Sequence, residues 1–379
     1  MRHVIVTGAF GLAFGLLIGI ATVAGQTVPK SPEESAPEDV LKQRVNTWVV
    51  GVAAGLYDGT YLRFADDLGK ALDDGDRLHV LPVVTRGAGS NLEDLLYLRG
   101  IDMAFIQADV LEYFRTVRKT PHIEDRIRYI IRLPGNEFHI TVGPEIHSLE
   151  DLRGKKVVFG PPGNAATRTG PIVFQRLNLP VEPVITEFST GYDMVLSGQA
   201  AGVLGSMSKP VPYWLKLPQN AGLHLLPVPY SKVFGDIYTV GEFTNADYPN
   251  LVRPGETVDT LAAPAVLAVY NWPKNSDRYR RVERFVQYLF NRWEKLMQPP
   301  FHPKWRDVNL AATVPGWTRF SVAEEMLQHP PQNSADATMA RDFNTYVTRE
   351  VRTAPRNEAE RDAVFREFML WREQQRRKQ

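Results

Sequence analysis

The run Val157-Val158-Phe159-Gly160-Pro161-Pro162-Gly163-Asn164-Ala165-Ala166-Thr167-Arg168 passes from an apolar stretch through a tight turn into residues fit to start a helix near Ala165 or Thr167. Exposed N–H groups and the positive end of the dipole at such a start attract anions. Asn164 can cap that helix, and Arg168 can hold a carboxylate or phosphate with two donors. The same residues also suit a plain Pro-Gly turn that does nothing but begin a helix. Nearer the N-terminus, residues 51–61 and the run Arg86-Gly87-Ala88-Gly89-Ser90-Asn91 are further glycine-bearing turns. Glycines there let a ligand approach the backbone, and Tyr57, Thr60, Ser90 and Asn91 can hydrogen-bond it. Arg86, on a turn facing the same crevice, is a natural partner for an anion. This is the chemistry of holding a small anion, not of breaking a bond.

Residues for catalysis are missing from the pattern. Leu196-Ser197-Gly198-Gln199 resembles a transport-ATPase signature, but no phosphate loop or dinucleotide fingerprint accompanies it. The 8 histidines are scattered, without a close pair or a His-Glu-x-x-His for zinc. His224, His302 and His329 sit beside prolines or apolar runs and read as structural. Asp66-Asp67 and Asp73-Asp74 lie on or just after an exposed helix face and read as solvated charge. No serine stands in a nucleophile elbow. The expectation is therefore a protein that is not an enzyme, with no catalytic residue, no metal and no cofactor. A transferase built on two similar lobes would need a nucleophile or an acid–base pair, and neither is visible.

The elements that must position these turns repeat one another. Residues 47–52 form an apolar, β-branched run, 55–59 a break, and 61–72 a helical pattern with Phe64, Ala65, Leu68 and Leu72 on one face. Strand, turn and helix recur at 78–84, 87–90 and 91–98, and a further strand at 101–106 leads into a helix through Tyr113 and Phe114. Two strands are expected at 128–133 and 138–142, a capped short helix at 148–154 and a strand at 156–160. A second set of such units runs to about Leu261. Residues 265–270 then form a strand crossing back, and a long amphipathic helix covers 277–297. Alternating units of this kind make an α/β fold with two similar lobes, ligand turns gathering at the carboxyl ends of strands. The tail from about Ala335 is helical and charged, with Met339, Phe343, Tyr346, Val347, Val364, Phe365, Phe368 and Met369 as candidates to pack across the back of the lobes.

The chain has 379 residues, with 44 Lys+Arg against 43 Asp+Glu and a net charge of +1. That balance argues against a nucleic-acid partner, which calls for a basic face. Cysteine is absent, which removes disulfides, thiolate metal sites, a Cys nucleophile and a lipoprotein anchor. Arg2 and His3 precede an uncharged stretch, residues 4–25, centred on Phe14, Leu16, Leu17, Ile18 and Ile20. Ala21, Ala24 and Gly25 then offer a cleavage site before Gln26. The alternative is a retained membrane anchor, since the stretch nearly spans a bilayer. Both readings place the bulk of the chain outside the cytoplasm, in the periplasm. The expected organisation is 1–25 signal peptide or anchor, 26–45 linker, 46–142 first lobe, 143–262 second lobe, 263–325 return to the first lobe, and 326–379 helical extension.

The motifs as a set resemble the TAXI family of TRAP-transporter solute-binding proteins. Gly51-Val52-Ala53-Ala54-Gly55-Leu56-Tyr57-Asp58-Gly59-Thr60-Tyr61 is similar to that family's first glycine turn, and Thr85-Arg86-Gly87-Ala88-Gly89-Ser90-Asn91-Leu92 to its second. Ile101-Asp102-Met103-Ala104-Phe105-Ile106-Gln107-Ala108-Asp109-Val110 and the segment from Leu149 to Gly163 resemble its next motifs, so that the likeness runs from about Asn46 to Phe320. The resemblance implies a two-lobed, type II periplasmic-binding-protein fold. It also implies delivery of cargo to a TRAP-type membrane permease driven by an ion gradient, with glutamate and related carboxylates among the family's ligands. Carried over by position, the pocket draws on Gly55, Tyr57, Thr60, Arg86, Ser90, Gln107, Asn164, Thr167 and Arg168, with Asn91, Gly163 and Ala165 beside them. Arg86 and the Asn164-Ala165-Ala166 turn depart from the family's usual small, polar or Ser/Gly-rich residues, which leaves the cargo open. A membrane-tethered sensory or adaptor domain, signalling instead of transporting, is the reading that a retained residue 4–25 segment favours.

Overall fold

Side-chain alternation along the strands decides how the chain layers. The computed structural model describes residues 37–57, 59–235, 237–329, 346, 363–369 and 371. Among them are β1 (Val49–Gly55), β2 (His79–Val84), β3 (Met103–Gln107), β4 (Ile127–Val142), β5 (Lys156–Val158), β6 (Glu182–Val184), β7 (Gly202–Met207), β8 (His224–Leu225), β9 (Thr239–Thr244) and β10 (Thr257–Tyr270). They make one mixed sheet in the order β2-β1-β3-β10-β4-β7-β5-β6, with β8 on β4 and β9 on β10. In the first lobe Val50, Val52, Ala54, Met103, Phe105, Ala265, Leu267 and Val269 face one core cluster. Their neighbours Ala53, Ala104, Ile106, Val266 and Ala268 face the other. The helix Thr60–Leu72 covers the first cluster with Phe64, Ala65, Leu68, Ala71 and Leu72. Each large side chain among these contributes roughly 1.5–3 kcal/mol by leaving water. The second lobe repeats the scheme, with Phe138, Ile140, Val157 and Leu204 on one face and Val158, Val203 and Trp214 on the other.

β4 and β10 join the lobes. The first half of β4 pairs with Ala265–Tyr270 of β10, while its second half, from Glu137 to Val142, pairs with β7. β10 likewise gives its first half to β9. The expectation of separate strands at 128–133 and 138–142 is corrected here: Pro134-Gly135 does not turn the chain, because the pairing with β10 shifts register opposite it, between Ala263 and Ala265. A bulge absorbs a residue that cannot donate to the ladder. The helix expected at 277–297 is also shorter. It ends at Asn291 and resumes as Trp293–Leu296, Arg292 taking φ −113° and donating to Leu72 O at 3.1 Å.

Asp67 overturns the reading of the Asp66-Asp67 pair as solvated charge. It is 1% exposed and accepts hydrogen bonds from Trp305 Nε1 at 2.9 Å and His302 N at 2.8 Å. Asp67→Ala strands both donors in the core, and the expected loss is about 2 kcal/mol of unfolding free energy by urea titration. Residues 44–379 form one compact unit; residues 1–43 form another, whose described part opens the helix Glu38–Asn46. Residues 4–25, expected to act as a signal peptide or anchor, lie outside the described residues, as does most of the expected C-terminal extension. Of the extension, Tyr346, Phe365 and Phe368 bury in the first lobe's cluster with Leu72, Trp293 and Trp305. No helix among the described residues is long and apolar enough to cross a membrane.

Candidate functional site

Three helices begin at one cavity. Gly59, Thr60 and Tyr61 start the helix Thr60–Leu72, Gly87 and Ala88 start the helix Ala88–Tyr97, and Asn164 and Ala165 start the helix Ala166–Arg176. All seven residues line a space of about 80 Å³. Each follows a strand of the sheet, β1, β2 and β5 in turn, so the cavity lies at carboxyl strand ends. The first turns of helices hold N–H groups without intrahelical partners, and the dipoles add partial positive charge. The rest of the wall is Ala54 and Gly55 at the end of β1 with Leu56 beyond them, Asn136 of β4, and Ser206, Met207, Ser208, Val211 and Pro212 at and after the end of β7. Among the described lining residues none carries a formal charge. Tyr61 stacks on Phe105 with ring centres 5.4 Å apart, and its hydroxyl accepts from the Asn136 amide. Burial pushes the Tyr61 phenol well above its ordinary range, so it stays protonated and able to donate.

The two lobes meet around this cavity. Ser90 N donates to Gly163 O at 3.0 Å, and Arg168 Nε to Gly89 O at 3.3 Å. Gln107 Nε2 donates to Ser206 O at 3.0 Å, while its Oε1 accepts from Thr169 Oγ1 and Ser206 Oγ, each at 3.0 Å. Tyr238 Oη donates to Asp109 Oδ2 at 2.9 Å. Gly87 has φ +126°, and a Cβ there would stand 2.8 Å from Asn164 Cα. The cleft is shut.

The residues singled out from sequence divide into groups. Gly55, Thr60, Asn164 and Ala165 line the cavity. Gly163, Ser90, Gln107 and Arg168 lie at the lobe contact around it, Arg168 also placing its guanidinium 4.8 Å from the centre of the Tyr113 ring. Asn164 turns its side chain inward: Nδ2 donates to Phe159 O and Pro161 O, and Oδ1 accepts from Ala166 N at 2.7 Å, so only its main chain faces the space. Thr167 Oγ1 donates to Asn164 O at 2.7 Å. Asn91 is fully buried and ties strand ends together, its amide reaching Ala53 O, Ala54 O and Phe105 O. Tyr57 is 85% exposed, and Arg86 is exposed with its charge near Asp94; neither lines the cavity. Tyr61, Asn136, Ser206 and Ser208 were not expected there. Their signal in the sequence is weak: polar residues placed in or next to apolar strand runs.

A second cavity, about 690 Å³, opens on the other side of β4, where Gly135 and Glu137 face away from Asn136. Lys209 pairs there with Asp247 at 2.9 Å, Lys304 donates to Ser208 Oγ at 2.9 Å, and no helix of eight residues or more begins at its described lining. No group of acidic and histidine side chains among the described residues could hold a metal ion.

Residues 52–314, well over half of the chain, match the NMT1-like family. The chain belongs to the NMT1-like family. No curated protein shows significant sequence similarity to it. Among solved structures, this NMT1-like chain is similar to the alkanesulfonate-binding protein SsuA from Xanthomonas axonopodis pv. citri bound to MOPS, at 14% identity and TM-score 0.39, over 81% of this chain and 95% of that one. It is also similar to the periplasmic binding protein BugD, at 12% identity and TM-score 0.40, over 68% and 85% of the two chains. A third is the amino acid transporter substrate-binding protein AbpA from Streptococcus pneumoniae bound to L-arginine, at 13% identity and TM-score 0.36, over 65% and 91%. At these scores the likenesses are distant, and the sheet order and paired cores of the NMT1-like chain stand without them.

Proposed function

We propose that this NMT1-like protein captures a small organic anion, a carboxylate, outside the cytoplasmic membrane and hands it to an ion-gradient-driven permease of the TRAP type. The observation that carries the reading is the convergence of three helix starts from two lobes on one cavity. Amides aimed at one point hold a carboxylate without any counter-cation, as helix N-termini do elsewhere. Thr60, Tyr61, Asn136 and Ser206 supply neutral hydrogen bonds, and Ala54, Leu56, Ala88 and Val211 pack the ligand's carbon atoms. The crossing strands β4 and β10 are the hinge about which the lobes part to admit it. Export rests on residues 2–25, and the permease class on the motif resemblance; neither depends on the cavity.

Calorimetric titration of the exported chain with pyruvate, lactate, succinate and glutamate, each beside its neutral amide, tests the reading. At least one carboxylate is expected to bind in the micromolar range while its amide does not. Arg86→Ala, which removes an exposed charge outside the lining, is expected to change that affinity by less than about fivefold. Binding of the amide as tightly as the acid, or of no carboxylate at all, would overturn the proposal.

A further inference from the structure

Asp109, immediately after Gln107 and Ala108 at the end of β3, belongs to the first lobe and is fully buried. Its neighbours across the cleft come from the second lobe: Tyr238 donates to Oδ2 at 2.9 Å, and the Thr169 hydroxyl is close by. Oδ1 has no hydrogen-bond partner. Among the described residues, Asp109 brings an ionisable carboxyl to the lobe contact, and its hydrogen-bond partners there are hydroxyls and backbone amides.

The surrounding charges are all engaged elsewhere. On the helix Ala166–Arg176, Arg176 donates to Phe234 O and lies 4.0 Å from Glu112, while Arg168 stacks on Tyr113. On the segment of Asp109 itself, Glu112 pairs with Arg115. The segment before β9 contributes Tyr238, the helix Thr60–Leu72 contributes Tyr61, and β10 packs in with the apolar Val266 and Ala268. An ionised Asp109 would thus be a desolvated anion facing only hydroxyls and amides, an arrangement that favours the neutral acid.

We propose that Asp109 is a proton-binding site completed by closure of the lobes, so that the protein takes up a proton as it shuts and releases it as it opens. In the open cleft Tyr238 and Thr169 swing away with the second lobe, water reaches the carboxyl, and it ionises like any aspartate. When the cleft shuts, burial raises the carboxyl's affinity for a proton, and the Thr169 and Tyr238 hydroxyls only partly oppose it. The closed form therefore binds more protons than the open form. Its stability relative to the open form is complete below the ordinary carboxylate range and falls as pH rises from there through the closed-state value, by up to about tenfold in the closed-to-open ratio per pH unit. Cargo and proton both favour the closed form, so opening releases the two together. The inference concerns closure itself and holds whichever small molecule fills the cavity.

The absence of cysteine in the sequence makes a direct test simple. Leu98→Cys and Leu196→Cys place one spin label on each lobe, at positions 50% and 52% exposed. Interlobe distances are read by double electron–electron resonance from pH 4.5 to 9, without added ligand. The wild-type background should shift from short to long distances as pH rises. Asp109→Asn, a neutral isostere of the protonated acid, should keep the short distance throughout. Tyr238→Phe removes a donor to the charged form and should move the midpoint to higher pH. Circular dichroism confirms that each variant is folded. Distances independent of pH in the wild-type background, or the same pH dependence in Asp109→Asn, would overturn the proposal, whatever the outcome of the carboxylate titrations.

Discussion

Gly89→Ala is expected to leave the protein folded and to weaken its binding of any cargo by about 100-fold. Gly89 lies in the first turn of the helix Ala88–Tyr97. A Cβ there would stand 2.3 Å from Asn164 O, 3.0 Å from Asn164 C and 3.0 Å from Gly163 O. All three atoms are backbone of the opposite lobe, so no side chain can rotate out of the way. The clash exists only in the shut cleft. In the open form the same substitution replaces a helical glycine by the best helix former, worth up to about 1 kcal/mol in favour of the fold. The thermal midpoint should therefore hold or rise while affinity collapses, and small-angle scattering with saturating carboxylate should show the larger radius of the open form. Wild-type affinity in Gly89→Ala would mean that closure at this turn plays no part in binding.

Asn91→Ala should show the reverse split. Asn91 Nδ2 lies 2.7 Å from Phe105 O and 3.3 Å from both Ala53 O and Ala54 O, and its Oδ1 accepts from Thr85 Oγ1 at 2.5 Å. It thereby holds the ends of β1 and β3, which carry Gly55 and Gln107, in fixed relation. Alanine removes these contacts from the core at once and takes the acceptor from the Thr85 hydroxyl, at an expected loss of about 3 kcal/mol in urea unfolding. The folded fraction should still bind ligand within about threefold of wild type, since no Asn91 atom lines the cavity. A variant of normal stability and lost binding would return Asn91 to the ligand's side of the wall.

These two residues, two positions apart, show what a single sequence discloses about such a site. The strand–turn–helix units were legible because glycines at 55, 87, 89 and 163 interrupt apolar runs at the points where the backbone turns or lobes approach. Position along the chain does not reveal direction. Arg86, Ser90 and Asn91 share one turn, yet Arg86 points to solvent beside Asp94, Ser90 lies at the lobe contact, and Asn91 points into the core. Long-range pairing was the other hidden term. Pro134-Gly135 carries a local turn signal, but the ladders to β10 and β7 on either side keep β4 continuous through the bulge there. That same pairing sets Phe138 against Ser206 and so brings Asn136 and Ser208 to the cavity wall from segments some seventy residues apart. The burial of Asp67 is hidden from the local sequence for a related reason: its partners Trp305 and His302 lie more than two hundred residues away.

Amide NMR decides most directly whether helix starts hold the anion. In a titration of deuterated, nitrogen-15-labelled protein with the tightest of the four carboxylates, the N–H signals of Thr60, Ala88 and Ala165 should move downfield together and saturate at the calorimetric Kd. Saturable binding that leaves those three signals in place, or that moves instead the signals of Lys209, Glu242 and Lys304 around the larger cavity, would contradict the account.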